Sequence, residues 1–219
     1  MAMKLAVFGA TGPTGQQLVK EALARGHQVV ALVRTPEKIT EKHDKLTVER
    51  VDIFKPEDLV PHLKGCDAVL SALGYHKGIN VFKTVTLYED SMKSITEAMK
   101  EAGVKRVVCV TSWCTEKTPG SPKIVEWFVR PVMIGKTLQS MAAMERFLAN
   151  DCPDVNYTVV RPPELLDKPA TGAEIKTEDG QFISCPETIP KIARGDLARF
   201  MLDCLTTDQW DRKAVAVAT

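Results

Sequence analysis

The stretch Lys4-Leu5-Ala6-Val7-Phe8-Gly9-Ala10-Thr11-Gly12-Pro13-Thr14-Gly15 decides the fold. Its first five residues form an apolar run that stops at a glycine, and residues 15–25 then carry Leu18, Val19, Ala22 and Leu23 at helical spacing. The pattern predicts a strand, a glycine turn and an amphipathic helix. Gly9, Gly12 and Gly15 space the turn as G-x-x-G-x-x-G. Glycine suits positions where backbone amides approach a pyrophosphate closely and where the phosphate rests on the positive end of the following helix. Gly9, Thr11, Gly12, Pro13, Thr14 and Gly15 are therefore candidate dinucleotide contacts, with a purely structural tight turn as the competing reading.

Outward from this unit the alternation repeats. Strand-like runs are expected at residues 28–34, 46–51, 67–73 and 106–111, and helices at Pro56–Leu63 and Leu87–Ala102, the second ending at Gly103. Strands alternating with helices imply right-handed crossovers and a parallel sheet covered on both faces. The expected class is α/β, a doubly wound parallel sheet of the Rossmann kind. Beyond Ser112 the pattern changes. Thr118-Pro119-Gly120-Ser121-Pro122 predicts a turn cluster, and the apolar stretch 124–134, with Pro131 inside it, predicts a loop and a broken helix. Helical periodicity resumes at 138–148, and a strand at 157–160 stops at Arg161-Pro162-Pro163, because proline cannot continue a ladder. A helix at 196–205, introduced by Gly195, and a strand at Lys213–Ala218 complete the reading. At ~150 residues per domain, the 219 residues are expected as a single domain with small C-terminal additions on the substrate side.

Composition excludes several classes. Twenty-nine lysines and arginines against 28 aspartates and glutamates leave a net charge of +1, which supplies no field for steering to nucleic acid or an anionic membrane. No apolar run approaches the ~18–20 residues of a membrane span, and the chain starts on a strand-type run rather than a leader. A cytoplasmic monomer with no nucleic-acid or membrane partner is expected. The six cysteines (Cys66, Cys109, Cys114, Cys152, Cys185, Cys204) are scattered without a C-x-x-C and read as reduced thiols. His27, His43, His62 and His76 show no metal-ligand spacing, so no metal is expected.

Strand two is expected to end near Val33. Sites selective for NAD place an acidic residue there to accept from the ribose 2′-hydroxyl, whereas this chain has Arg34, with Lys38 four residues on. Two cations suit the 2′-phosphate of NADP(H), arginine as a fork and lysine as a point charge, against the alternative of solvated surface charges. After strand three, Asp52 would accept from the adenine amino group while Ile53 covers the ring. A helix cap by Asp52 is equally consistent. Leu73 and Gly74 would bring backbone close to the ribose. Ser112 and Trp113 follow strand five, where ligands gather outside the carboxyl ends of the strands. The serine either orients the nicotinamide or closes a turn. Trp113, Trp127, Phe128 and Met133 would roof an aromatic acceptor or pack in the core. Glu164, expected in an apolar cleft, would have a raised pKa and serve as an acid. Cys114 has no paired base and is not expected to be a nucleophile.

Together, the run from Phe8 to Gly15, Leu32-Val33-Arg34, Asp52, Leu73-Gly74, Thr111-Ser112, Val160-Arg161-Pro162-Pro163 and the block from Leu202 to Asp208 resemble the atypical short-chain dehydrogenase/reductases. The resemblance is to the NAD(P)H-binding group that contains biliverdin-IXβ reductase, also called flavin reductase, and the NmrA-like proteins. It implies an NADPH-dependent reductase that passes hydride to a planar conjugated acceptor, a flavin, a quinone or a biliverdin-type tetrapyrrole. By position it implies 2′-phosphate contacts at Arg34 and Lys38, the active-site serine at Ser112, and the segment beside the nicotinamide at Pro162, Pro163 and Glu164.

Two departures narrow the chemistry. The family's Pro-Pro-His is Pro162-Pro163-Glu164 here, so the histidine is missing. The superfamily's Tyr-x-x-x-Lys is also missing, since Tyr75, Tyr88 and Tyr157 are followed four residues on by Ile79, Met92 and Arg161, and the lysine frequent in NmrA-like relatives falls on Met141. Ketone reduction, which needs a protonated oxygen, is poorly served. A flavin or quinone takes hydride at one atom and draws its proton from water. A non-catalytic NmrA-like NADP(H) redox sensor acting through protein partners is the alternative. A nucleotide-sugar epimerase or dehydratase would need a larger C-terminal substrate region.

Overall fold

The computed structural model describes residues 1–74, 86–118, 135–184 and 190–219. Most of the turn cluster expected at 118–122, the stretch 124–134 with Trp127, Phe128 and Met133, and Tyr75, His76, Ile79 and Cys185 lie outside the described residues.

In chain order the elements are β1 (Lys4–Phe8), α1 (Pro13–Ala24), β2 (Gln28–Val33), β3 (Leu46–Arg50), α2 (Pro56–Leu63), β4 (Ala68–Ser71), α3 (Leu87–Ala102), β5 (Arg106–Val110), α4 (Gly135–Asp151), β6 (Asn156–Arg161), β7 (Glu164–Leu166), β8 (Lys176–Asp179), β9 (Lys191–Ala193), α5 (Arg194–Asp203) and β10 (Lys213–Ala218). Eight strands form one sheet in the order β3-β2-β1-β4-β5-β6-β10-β8. The first seven run parallel. This is the doubly wound Rossmann-like sheet, corrected at one edge, where β8 pairs antiparallel with β10. A second, two-stranded sheet joins β7 to β9 in parallel.

The reason β1 is a continuous apolar run lies in its position. Leu5 to Phe8 are fully buried because helices cover both faces. Ala6 and Phe8 enter the layer under α2, α3 and α4, while Leu5 and Val7 enter the layer under α1 and α5. Each large apolar side chain withdrawn from water contributes ~1.5–3 kcal/mol, so these two layers fix the sheet. The helices stop where the sequence says they must. Gly103 ends α3 with φ 78°, a left-handed conformation that glycine adopts without strain. β6 ends at Arg161, directly before Pro162.

The order of strands places the site. The chain crosses from β1 to β2 on one side and returns to β4 on the other, so connections diverge above the carboxyl ends of β1 and β4 and leave a crevice there. Gly9 follows β1 and Ala72, Leu73 and Gly74 follow β4, so both segments border that crevice.

Candidate cofactor and active site

The glycine turn has the shape a pyrophosphate requires. Gly9 has φ 75°, and a Cβ there would lie 2.5 Å from the carbonyl oxygen of Ala72. A Cβ at Gly15 would run into the Gly9 carbonyl oxygen. These two glycines are demanded by the protein's own packing. Gly12 differs: a Cβ there would meet only the Gly9 carbonyl oxygen, at 3.3 Å, so the space above it is open to a ligand. The turn is closed by the Gly12 N–H donating to Gly9 O at 2.9 Å. Gly12 also caps α1 without a side chain, and Pro13 opens the helix with no N–H to offer. First-turn amides have no intrahelical acceptor, so those of Thr14 and Gly15 carry the helix's partial positive charge toward the crevice. The Thr14 hydroxyl oxygen accepts from Arg194 Nη1 at 2.7 Å, which brings a guanidinium from the start of α5 to this turn. Thr11 supplies its carbonyl to the Gln16 side chain.

After β2, Arg34 and Lys38 are exposed, and neither has a carboxylate partner among the described residues. Asp52 does not cap α2, whose N-cap is Lys55. Its carboxylate accepts from the Phe54 N–H at 3.1 Å and faces Lys55 Nζ at 3.9 Å, while its own N–H donates to Asp58. Ile53 and Leu73 are partly buried against the core beneath α2 and α3.

Beyond the carboxyl end of β5 lie Thr111, Ser112 and Trp113. Ser112 is half-buried, and no hydrogen bond engages its hydroxyl among the described residues. The Trp113 N–H donates to the Pro162 carbonyl at 3.0 Å, tying the ends of β5 and β6 together. Its indole Nε1 is buried with no partner among the described residues, and buried donors are rarely left so unless a ligand or water completes them. Pro162 is buried and Pro163 half-buried beside it. Glu164 lies elsewhere than the sequence suggests. It does not lie in an apolar cleft: it opens β7, its side chain is 54% exposed, and it pairs with Lys191 at 3.2 Å. Its partner Lys191 opens β9, the strand paired with β7 in the second sheet.

Sequence reasoning missed the group that holds the Ser112 segment. Glu145 on α4 is 8% exposed, and its carboxylate accepts from Thr111 Oγ1 at 2.7 Å, Thr115 Oγ1 at 2.9 Å, and Arg161 Nη2 at 2.6 Å. Arg161 also donates to the Gly180 carbonyl at 2.8 Å, and the Gln181 side chain accepts from the Glu116 N–H at 3.1 Å. One buried carboxylate thus clamps the chain on both sides of Ser112. The available signal was Arg161, a charge closing an apolar strand, which needs a buried counter-charge. Cys109 and Cys204 are buried and free. Burial pushes the Cys204 thiol up to about 12 and also raises that of Cys109, wholly buried on β5 near Glu145. Such thiols are inert at neutral pH. Among the described residues no cluster of metal-ligating side chains occurs, and no helix is long and apolar enough to cross a membrane.

A phosphate cradle at the switch point, a strand-end row leading away from it and an unengaged serine beside it define an α/β protein that binds a nicotinamide dinucleotide. The chain belongs to the NAD(P)H-binding family, whose model matches residues 9–208, within the atypical short-chain dehydrogenase/reductase group. It is 30% identical over 174 residues to an uncharacterized chloroplastic protein of Arabidopsis thaliana, covering 77% of this chain and 61% of that protein's length. Two solved structures share the fold. A Streptococcus pneumoniae protein provisionally named an NADH-flavin reductase superposes with a TM-score of 0.75 at 23% identity, over 99% of both chains. ChuY, an anaerobillin reductase of Escherichia coli O157:H7, gives 0.73 at 18% identity, over 98% of this chain and 96% of its own. At these identities the likeness is one of fold.

Proposed function

We propose that this chain is an NADPH-dependent reductase that passes hydride from the nicotinamide to a planar conjugated acceptor: a flavin, a quinone or a biliverdin-type tetrapyrrole. The observation that carries the reading is the pairing of the glycine cradle with two unengaged donors, the Ser112 hydroxyl and the Trp113 indole N–H, at the neighbouring strand ends. The residues present fit the cofactor. Gly9, Gly12 and Gly15 leave backbone alone against the pyrophosphate, the amides of Thr14 and Gly15 hold its charge, and Arg194, itself paired with Asp167, fixes the Thr14 hydroxyl. Asp52 and Ile53 take the adenine, Leu73 and Gly74 the ribose, and Arg34 and Lys38 the 2′-phosphate.

When bound, the cofactor supplies the hydride and both electrons. The chain's own residues do the positioning. Ser112 and Trp113 offer hydrogen bonds to the nicotinamide carboxamide or to an acceptor carbonyl, and Pro162 and Pro163 wall the ring on one side. Glu145, through Thr111 and Thr115, keeps the Ser112 segment from shifting, and a small displacement there is costly in rate. Among the described residues near Ser112, Glu164 is exposed and paired with Lys191, and the buried Glu145 is held by Arg161, Thr111 and Thr115, so neither stands ready to deliver a proton. The acceptor's proton therefore comes from water, which suits flavins, quinones and tetrapyrroles. The two structural neighbours named above are called reductases of such acceptors, in keeping with this reading. Titration of NADPH and NADH, with turnover measured on FMN, a quinone and biliverdin, tests it. NADPH binding without turnover on any of them would support the NADP(H) sensor instead.

A further inference from the structure

We propose that Arg50, with Glu37 as its detachable counter-ion, is a third cation for the cofactor's ribose 2′-phosphate, and that this ion pair tunes the preference for phosphorylated over unphosphorylated ribose. The proposal rests on the NADPH reading and deepens it at one subsite. β2 and β3 are parallel with Val33 in register with Arg50, and the Val51 N–H donates to the Val33 carbonyl at 3.0 Å. Adjacent strands lie ~4.8 Å apart, and Arg34 lies one residue beyond the register partner of Arg50, so both cations stand at the carboxyl ends of neighbouring strands. The tight 3-10 turn Pro36–Lys38 follows β2 and is closed by the Lys38 N–H to Thr35 O at 3.2 Å and the Ile39 N–H to Pro36 O at 2.9 Å. Ile39 packs against the core beside α1 and anchors the turn. In this position Glu37 Oε1 accepts from Arg50 Nη2 at 2.6 Å, with Lys38 next in the chain.

The carboxylate that holds Arg50 thus belongs to the turn that follows Arg34 and carries Lys38, at the strand ends where the NADPH reading puts the 2′-phosphate. Both partners of the pair are about two-thirds exposed, at 65% and 66%. An ion pair that exposed is held weakly and exchanges readily. A phosphate dianion offers arginine a forked set of oxygens and more charge than a carboxylate, so it draws Arg50 off Glu37. An unphosphorylated ribose offers nothing of the kind, and Arg50 then stays on Glu37. Arg50 lies on β3, away from the β2 end where sequence reasoning looks for cofactor specificity, and its apparent salt bridge hides it as surface decoration.

Calorimetric titration of the protein with 2′,5′-ADP and with 5′-ADP tests this without any turnover. Wild type is expected to prefer 2′,5′-ADP. Arg50→Gln should weaken 2′,5′-ADP about tenfold while leaving 5′-ADP within about twofold, the signature of a lost charge-assisted contact to phosphate. Glu37→Gln should tighten 2′,5′-ADP several-fold, roughly what removing one competing exposed charge allows. The double variant should bind 2′,5′-ADP more weakly than Glu37→Gln alone. If the double variant matches Glu37→Gln, Arg50 only masks Glu37 and the proposal falls. It falls equally if wild type prefers 2′,5′-ADP and Arg50→Gln leaves that preference unchanged, in which case the NADPH reading stands. A wild-type chain that binds both nucleotides alike overturns the NADPH reading and this proposal with it.

Discussion

Three glycines of one turn carry different obligations, and substitutions should separate them. Gly9→Ala places a side chain at φ 75° and against the Ala72 carbonyl, a strain of ~1–3 kcal/mol before any clash is counted, so its urea midpoint should fall well below wild type. Gly12→Ala meets no protein atom closer than 3.3 Å at an ordinary φ of −80°. It should unfold near the wild-type midpoint yet bind NADPH more weakly, because the lost space belongs to the ligand. Equal destabilisation by both would remove the distinction. Glu145 is the other residue with a sharp expectation. Glu145→Ala leaves the Arg161 guanidinium buried without its counter-charge, a loss of ~3–5 kcal/mol in chemical denaturation. Glu145→Gln keeps the shape and should cost less while still raising the KM for the acceptor.

Elements were legible in proportion to how much apolar surface they bury. The β1-turn-α1 unit, β2 and β10 declare themselves because strands covered on both faces must be apolar throughout and α1 must show one apolar stripe. β8 is silent for the opposite reason. Lys176-Thr177-Glu178-Asp179 is exposed at every position, a charged edge that blocks further pairing and leaves no pattern to read. β7 and β9 are three residues each and exist only through one another. That pairing is also why the sequence does not place Glu164: its environment is set by Lys191, far along the chain. Likewise, Met144-Glu145-Arg146 reads as a helix with ordinary surface charges until β6 brings Arg161 to it. The loop after β8 has a testable part in this. Gln181 accepts from the Glu116 N–H, so Gln181→Ala should speed hydrogen exchange at the Glu116 amide while leaving exchange in β1 and β4 unchanged.

For the molecule as a whole, stability should depend on pH through His27. Burial first, then the neighbouring charges of Arg25, the N-terminus and Lys45, hold its pKa below the ordinary value of 6.5, and its Nδ1 accepts from the Met3 N–H. The unfolded chain binds this proton more readily than the folded one, so the contribution is complete above about pH 6.5 and is lost as pH falls below it. His27→Gln should flatten the decline in denaturation midpoint between neutral and mildly acidic pH. Cofactor binding is the complementary linkage: a ligand held only by the folded state stabilises it by ~2.7 kcal/mol at a hundredfold excess over Kd, so NADPH should raise the melting temperature more than NADH at equal concentration. The most direct measurement of the central claim is NADPH consumption, followed by absorbance, with FMN, a quinone and biliverdin offered separately to wild type and to Gly12→Val. The account expects turnover above the uncatalysed rate with at least one acceptor, lost in Gly12→Val although that variant folds. Tight NADPH binding with no turnover on any of the three, or turnover that survives Gly12→Val, would contradict it.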